Sequence, residues 1–148
     1  MDHAEKAQEL FLQGYNCSQS VFLAFEDLTG LDQSTGARLS SSFGGGMGRL
    51  REVCGAVSGA FMVLGLLRGY DDPEDADAKA AHYAMLQDFA RDFREKHGSI
   101  LCRYLLKDVK TSPGRKPEAR TKEYYDSRPC LKCVADAARM VDEYLGSI

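Results

Sequence analysis

A stretch of 15 residues, Val53 to Leu67, carries no charge and begins four residues beyond a glycine-rich segment, "FGGGMG", at 43–48. It is too short for the roughly 20 apolar residues that a membrane-spanning helix needs. A soluble chain must therefore bury it, and the spacing predicts a central helix against which the rest of the protein packs. At its mouth stands a thiol, Cys54, followed by the small residues Gly55, Ala56, Ser58 and Gly59. The glycine run before it is too flexible for regular structure and is expected to expose amides in a concave nest suited to negative charge. It lacks the G-K-[ST] ending of a phosphate loop.

Flanking segments read as helices too. Ala4, Ala7, Leu10 and Phe11 recur at helical spacing over 3–14. Asn16 with Gln19 three residues on is a capping box, opening a helix that carries Val21, Phe22, Phe25 and Leu28 towards Gly30. A shorter helix is expected over 33–42. Asp75–Lys96 reads as a long amphipathic helix with Ala76, Ala80, Tyr83, Leu86, Ala90 and Phe93 inward, bounded by Pro73 and Gly98. "GSILCRYLL" restarts a short helix after Ser99, and a last one runs from Cys130 to Leu145. Between them, 107–128 holds two prolines, seven basic and four acidic residues, and reads as a long exposed loop with one turn of helix near Glu118–Tyr124. No segment alternates as a strand. The expectation is an all-α fold, one domain built as a bundle of five to six helices. A net charge of −3 argues against non-specific binding to nucleic acid. The N-terminus has no basic stretch followed by an apolar one, so no signal peptide is expected. The expected compartment is the cytoplasm, where structural disulfides are rare.

Five cysteines then need another account, and four of them share a position. Cys17 follows its cap Asn16, Cys54 opens the apolar helix, Cys102 comes three residues after Ser99, and Cys130 three after Ser127. Each falls in the first turn of a helix, where free amides and the helix dipole favour thiolate over thiol. Sequence-local metal motifs fail: only "CLKC", Cys130 and Cys133, has zinc-ribbon spacing, and ferredoxin-type runs and the βαβ setting of a thioredoxin motif are absent. Any site must be assembled by the tertiary fold.

"GYNCSQSV", "FGGGMG", "EVCGAVSGAFMVLG", "GSILCRYLL" and "RPCLKCVADAA" together resemble the C_GCAxxG_C_C family of redox-active proteins, whose pattern is a cysteine, a CGAxxG motif and two later cysteines. The resemblance runs from Gly14 to the last helix and implies that Cys17, Cys54, Cys102 and Cys130 are the family's four. A similar four-cysteine domain accompanies the haem domain of split-Soret cytochromes, where it goes with an iron–sulfur centre. With no C-x-x-C-H here, covalent haem is not implied. The resemblance also points to a redox or transport-associated partner.

Three readings follow. Cys17, Cys54, Cys102 and Cys130 hold a metal centre, a [2Fe–2S] cluster before zinc, with Gly44, Gly45, Gly46, Gly55 and Gly59 giving it close approach. Alternatively the same four cysteines cycle as dithiol and disulfide, or they are buried thiols of a structural protein. Cys133 is expected to lie off the site. His97 reads as a cation at a helix C-terminus, His82 as a partly exposed surface residue, and His3 as part of a fraying end.

Overall fold

A computed structural model describes residues 1–146. The helices are α1 (His3–Leu12), α2 (Cys17–Ala24), α3 (Glu26–Thr29), α4 (Gln33–Ser40), α5 (Gly44–Met47), α6 (Gly55–Arg68), α7 (Ala76–His97), α8 (Cys102–Leu105), α9 (Lys122–Ser127) and α10 (Cys130–Gly146). Six of these have seven residues or more, so the all-α reading and the count of five to six both hold. Among the described residues the only β-type pairing is an isolated antiparallel bridge between Val53 and Leu101. No described helix is long and apolar enough to cross a membrane.

The apolar run is the centre of the fold. Ala56, Val57, Ala60, Val63 and Leu64 of α6 are fully buried, with α2 on one side and α10 on another; α1 in turn lies against α2 and α10. The contact between α2 and α6 is unusually close because of two glycines. A Cβ on Gly55 would meet the Ser18 amide nitrogen at 2.9 Å and the Cys17 Cβ at 3.1 Å. One on Gly59 would meet the Ser18 carbonyl oxygen at 2.7 Å. Gly59 thus serves helix packing.

Several expectations need correction. The inward face of α7 is His82, Phe89 and Phe93, while Ala76, Ala80 and Tyr83 are exposed. Phe93 is inward as expected, but before it the stripe is rotated by one position, so that Phe89 is buried in place of Ala90, which removes more apolar surface from water than an alanine offers. His82 is accordingly buried, edge-on to Tyr70. The helix expected from Asn16 to Gly30 breaks at Phe25 into α2 and α3. His3 does not fray: its two ring nitrogens lie 2.8 Å from Asp142 and 2.9 Å from Asp27, and its ring stacks on Phe25. The 107–128 segment is exposed along its outer side only, and its inner side closes a cavity.

Gly59→Leu should lower stability by about 1–3 kcal/mol through overpacking. Gly65→Ala, where a Cβ meets open space, should raise it by about 1 kcal/mol through helix propensity. Denaturant unfolding followed by circular dichroism measures both.

Candidate functional site

All five cysteines line one cavity of about 490 Å³. Each arrives there by a local device. Asn16 and Gln19 form the expected capping box, each side chain accepting the other's amide at 2.9 and 3.1 Å, so Cys17 opens α2. The same two side chains donate to the carbonyls of Ser41 and Ala37, anchoring that helix start to the α4 region. Cys54 and Cys102 are joined by the bridge. The Cys54 amide donates to the Ile100 carbonyl and the Cys102 amide to the Glu52 carbonyl, each at 2.7 Å. Two cysteines 48 positions apart in sequence are thereby set side by side. Cys130 and Cys133 stand one turn apart on the same face of α10.

Inside the cavity the thiols associate in pairs. Cys17 and Cys130 act directly on each other, and so do Cys54 and Cys133. Within each pair the two sulfurs are driven apart in acidity. The Cys17 thiol directed at it draws Cys130 below the ordinary thiol range; burial opposes this, and Arg128, Arg120 and Arg51 reinforce it. Cys17 is raised in return, first by that hydrogen bond and then by burial. Cys54 is lowered by Cys133 against the effect of burial, with help from the first-turn amides of Ala56 and Val57. Cys133 is pushed far up by Cys54 and by burial. Cys102 stands apart: burial raises it, and the Arg51 guanidinium, donating to its Sγ at 3.6 Å, opposes that.

Two expectations fall here. Cys133 lies in the site, not off it, because α10 presents residues 130 and 133 on one face. First-turn placement alone does not make thiolates, since Cys17 and Cys102 go the other way. Burial and a neighbouring thiolate outweigh a helix start.

Behind Cys133 lies a group the sequence reading assigned elsewhere. His97 Nδ1 is 3.8 Å from Cys133 Sγ, and Nε2 is 3.0 Å from Asp136 Oδ2. The His97 side chain is 7% exposed, and burial lowers its pKa despite Asp136, aided by Lys132 and Lys96. It is a neutral imidazole at pH 7, not the expected helix-terminal cation. The signal was the α7 stripe itself: His97 continues the spacing of Phe89 and Phe93.

The cavity wall opposite the helices comes from the 107–128 segment. Arg49 clamps it, donating to the carbonyls of Ser112 and Gly114, at 2.9 and 3.0 Å, and of Lys116, and pairing with Glu118. Arg128, almost fully buried, pairs with the same carboxylate and lies over the Tyr124 ring. Burial works against ionisation of Glu118, yet the Ser112 amide and hydroxyl and Arg128 overcome it and hold the carboxyl at about 2. Arg120 donates to the Phe11 and Tyr15 carbonyls and stacks on Phe11. From the glycine run to Cys54, the non-glycine residues Met47, Arg49 and Arg51 take φ of 69°, 67° and 61°, a conformation that costs roughly 1–2 kcal/mol each. Strain of this kind gathers at functional sites.

The glycines divide. Gly44, Gly45, Gly46 and Gly55 line the cavity, whereas Gly59 does not. A Cβ on Gly46 would sit 2.6 Å from the Cys102 Cβ, so this glycine lets the turn lie on that cysteine. As for a metal, no three His, Cys, Asp or Glu side chains among the described residues converge so as to hold a single ion. A zinc site does not fit this arrangement. Cys17, Cys54, Cys102 and Cys130 all line the same arginine-rich space.

The site is thus a thiol-lined, arginine-rich cavity within a helical bundle. The family described as "Putative redox-active protein (C_GCAxxG_C_C)" matches residues 15–144, and the chain belongs to it. No curated protein and no solved structure matches the chain.

Alkylation separates the sulfurs. With iodoacetamide at pH 7, Cys130 should react faster than Cys17 or Cys102, because the thiolate is the nucleophile. The midpoint of its pH–rate profile should lie below the ordinary thiol value and that of Cys17 above it. Peptide mass spectrometry after timed quenching reads both.

Proposed function

We propose that the chain is a thiol–disulfide redox protein with two working pairs, Cys17–Cys130 and Cys54–Cys133. One observation carries this reading: four thiols line one cavity and interact there in two pairs, each with one sulfur shifted towards thiolate and its partner away from it. That is the division of labour exchange requires, since one sulfur attacks and the other resolves. All five cysteines are free thiols, the reduced form of such a protein. It would work where thiols are kept reduced, as in the cytoplasm.

The outer pair is half-buried and the inner pair buried, so the outer one meets the substrate first. The Cys130 thiolate attacks one sulfur of an acceptor disulfide R–S–S–R, forming Cys130–S–S–R and releasing RS⁻. Cys17 gives its proton to that thiolate and attacks the Cys130 sulfur, releasing the second RS⁻. A proton from solvent completes the second thiol. The acceptor has gained two electrons and two protons, and the protein holds the Cys17–Cys130 disulfide. The inner pair repeats the exchange with Cys54 as thiolate and Cys133 as the resolving thiol. There, neutral His97 is placed to take the Cys133 proton, and Asp136 to stabilise the imidazolium.

A second reading has its own support. The electropositive cavity faced by Cys17, Cys54, Cys102 and Cys130 suits an anionic [2Fe–2S] cluster, which when bound would supply one-electron transfer.

Mild oxidation followed by disulfide mapping should give Cys17–Cys130 and Cys54–Cys133 as the main bridges. Cys133→Ser should remove the inner bridge as completely as Cys54→Ser does, with the helical circular dichroism spectrum retained in both. A dominant Cys130–Cys133 bridge would overturn the pairing. Brown protein with visible absorbance from anaerobic purification, lost in Cys102→Ser but kept in Cys133→Ser, would favour the cluster.

A further inference from the structure

We infer that the cavity in front of Cys130 selects a small disulfide bearing carboxylates or other anionic groups, with Arg51 and Arg128 holding its charge. The inference rests on the dithiol reading and adds the substrate class to it.

The cavity's charge is the first observation. Five arginines line it, Arg49, Arg51, Arg115, Arg120 and Arg128, against one acidic residue, Glu118. Glu118 is already shared between Arg49 and Arg128. Among the described residues no carboxylate pairs with Arg51 or Arg120: Arg51 donates to the Cys102 sulfur, and Arg120 to two backbone carbonyls. With Cys54 and Cys130 both ionised, the guanidinium charge still exceeds the negative charge around the space. The chain as a whole carries −3, so the positive charge is local to this cavity. A desolvated excess of this kind lowers the free energy of an anion far more than surface lysines would.

Of the arginines that act on Cys130, Arg51 and Arg128 are the ones that keep donors for a ligand. Arg49 spends its donors on the 107–128 segment and Arg120 on the end of α1. Arg128 gives one nitrogen to Glu118 and keeps the rest of its fork beside Cys130. Arg51, in a left-handed backbone conformation, reaches the same thiols through Cys102 and acts on Cys130. Guanidinium forks match carboxylates in geometry as well as charge. About 490 Å³ suits a small molecule rather than a folded partner. In the exchange the substrate disulfide is reduced to two thiols, and the protein dithiol is oxidised to Cys17–S–S–Cys130, with no further reagent.

Charge-matched probes test this on the whole reduced chain. Rates are measured with dithiobis(nitrobenzoate), a dianion, with neutral 2-hydroxyethyl disulfide and with cationic cystamine, each divided by its rate with free N-acetylcysteine. The normalised rate should be about tenfold or more higher for the dianion than for the neutral probe, lowest for cystamine, and should fall with ionic strength for the dianion alone. Arg51→Gln or Arg128→Gln should bring the dianion-to-neutral ratio towards unity, and Arg51→Lys should recover most of it. Equal normalised rates in the unaltered chain overturn the anion preference while leaving the dithiol reading in place. No exchange with any probe overturns both.

Discussion

The close approach of α2 to α6 is the contact on which the site depends. With hydrogen in place of a side chain at Gly55 and Gly59, the α6 backbone reaches the Ser18 backbone of α2 directly. That brings the starts of the two helices to one level and sets Cys17 against Cys54. Helix α10, packed on both α2 and α6, lays one face across the junction. Residues one turn apart on it, Cys130 and Cys133, then meet Cys17 and Cys54 respectively. Any side chain at residue 55 or 59 would separate the helices and open both pairs together.

The surroundings of the thiols divide into a basic side and an uncharged one. Towards the 107–128 segment, arginines fixed by carbonyls, aromatic rings and one shared carboxylate favour the Cys130 thiolate. Towards the core, Cys133 touches a buried neutral histidine held by Asp136. One side favours charge and the other a proton acceptor without charge. Two thiol pairs with different surroundings have different proton affinities, and hence different exchange rates. The strained turn at Met47, Arg49 and Arg51 holds the basic side in place, with the bridge between Val53 and Leu101 behind it.

Local signals were read well from the sequence. The capping box at Asn16 and Gln19, the glycine ends at Gly30 and Gly98, and the buried run of α6 are properties of a few adjacent residues. The placement of cysteines at helix starts has the same local origin. Periodicity misled where two stripes competed on α7: Ala80, Tyr83 and Ala90 fit helical spacing with Phe93 as well as His82 and Phe89 do. Burying the larger side chains decided between them.

By itself, then, the sequence determined an all-α chain, a central apolar helix and a set of thiols at helix starts, because each follows from short-range periodicity, capping and composition. Only the tertiary structure decided which thiol meets which. Pairing depends on how closely glycines let helices approach, and on which residues one helix face carries to its neighbours. That is why Cys133 joined the site, why His97 became its neutral neighbour, and why a segment rich in prolines and charge became the wall of the cavity.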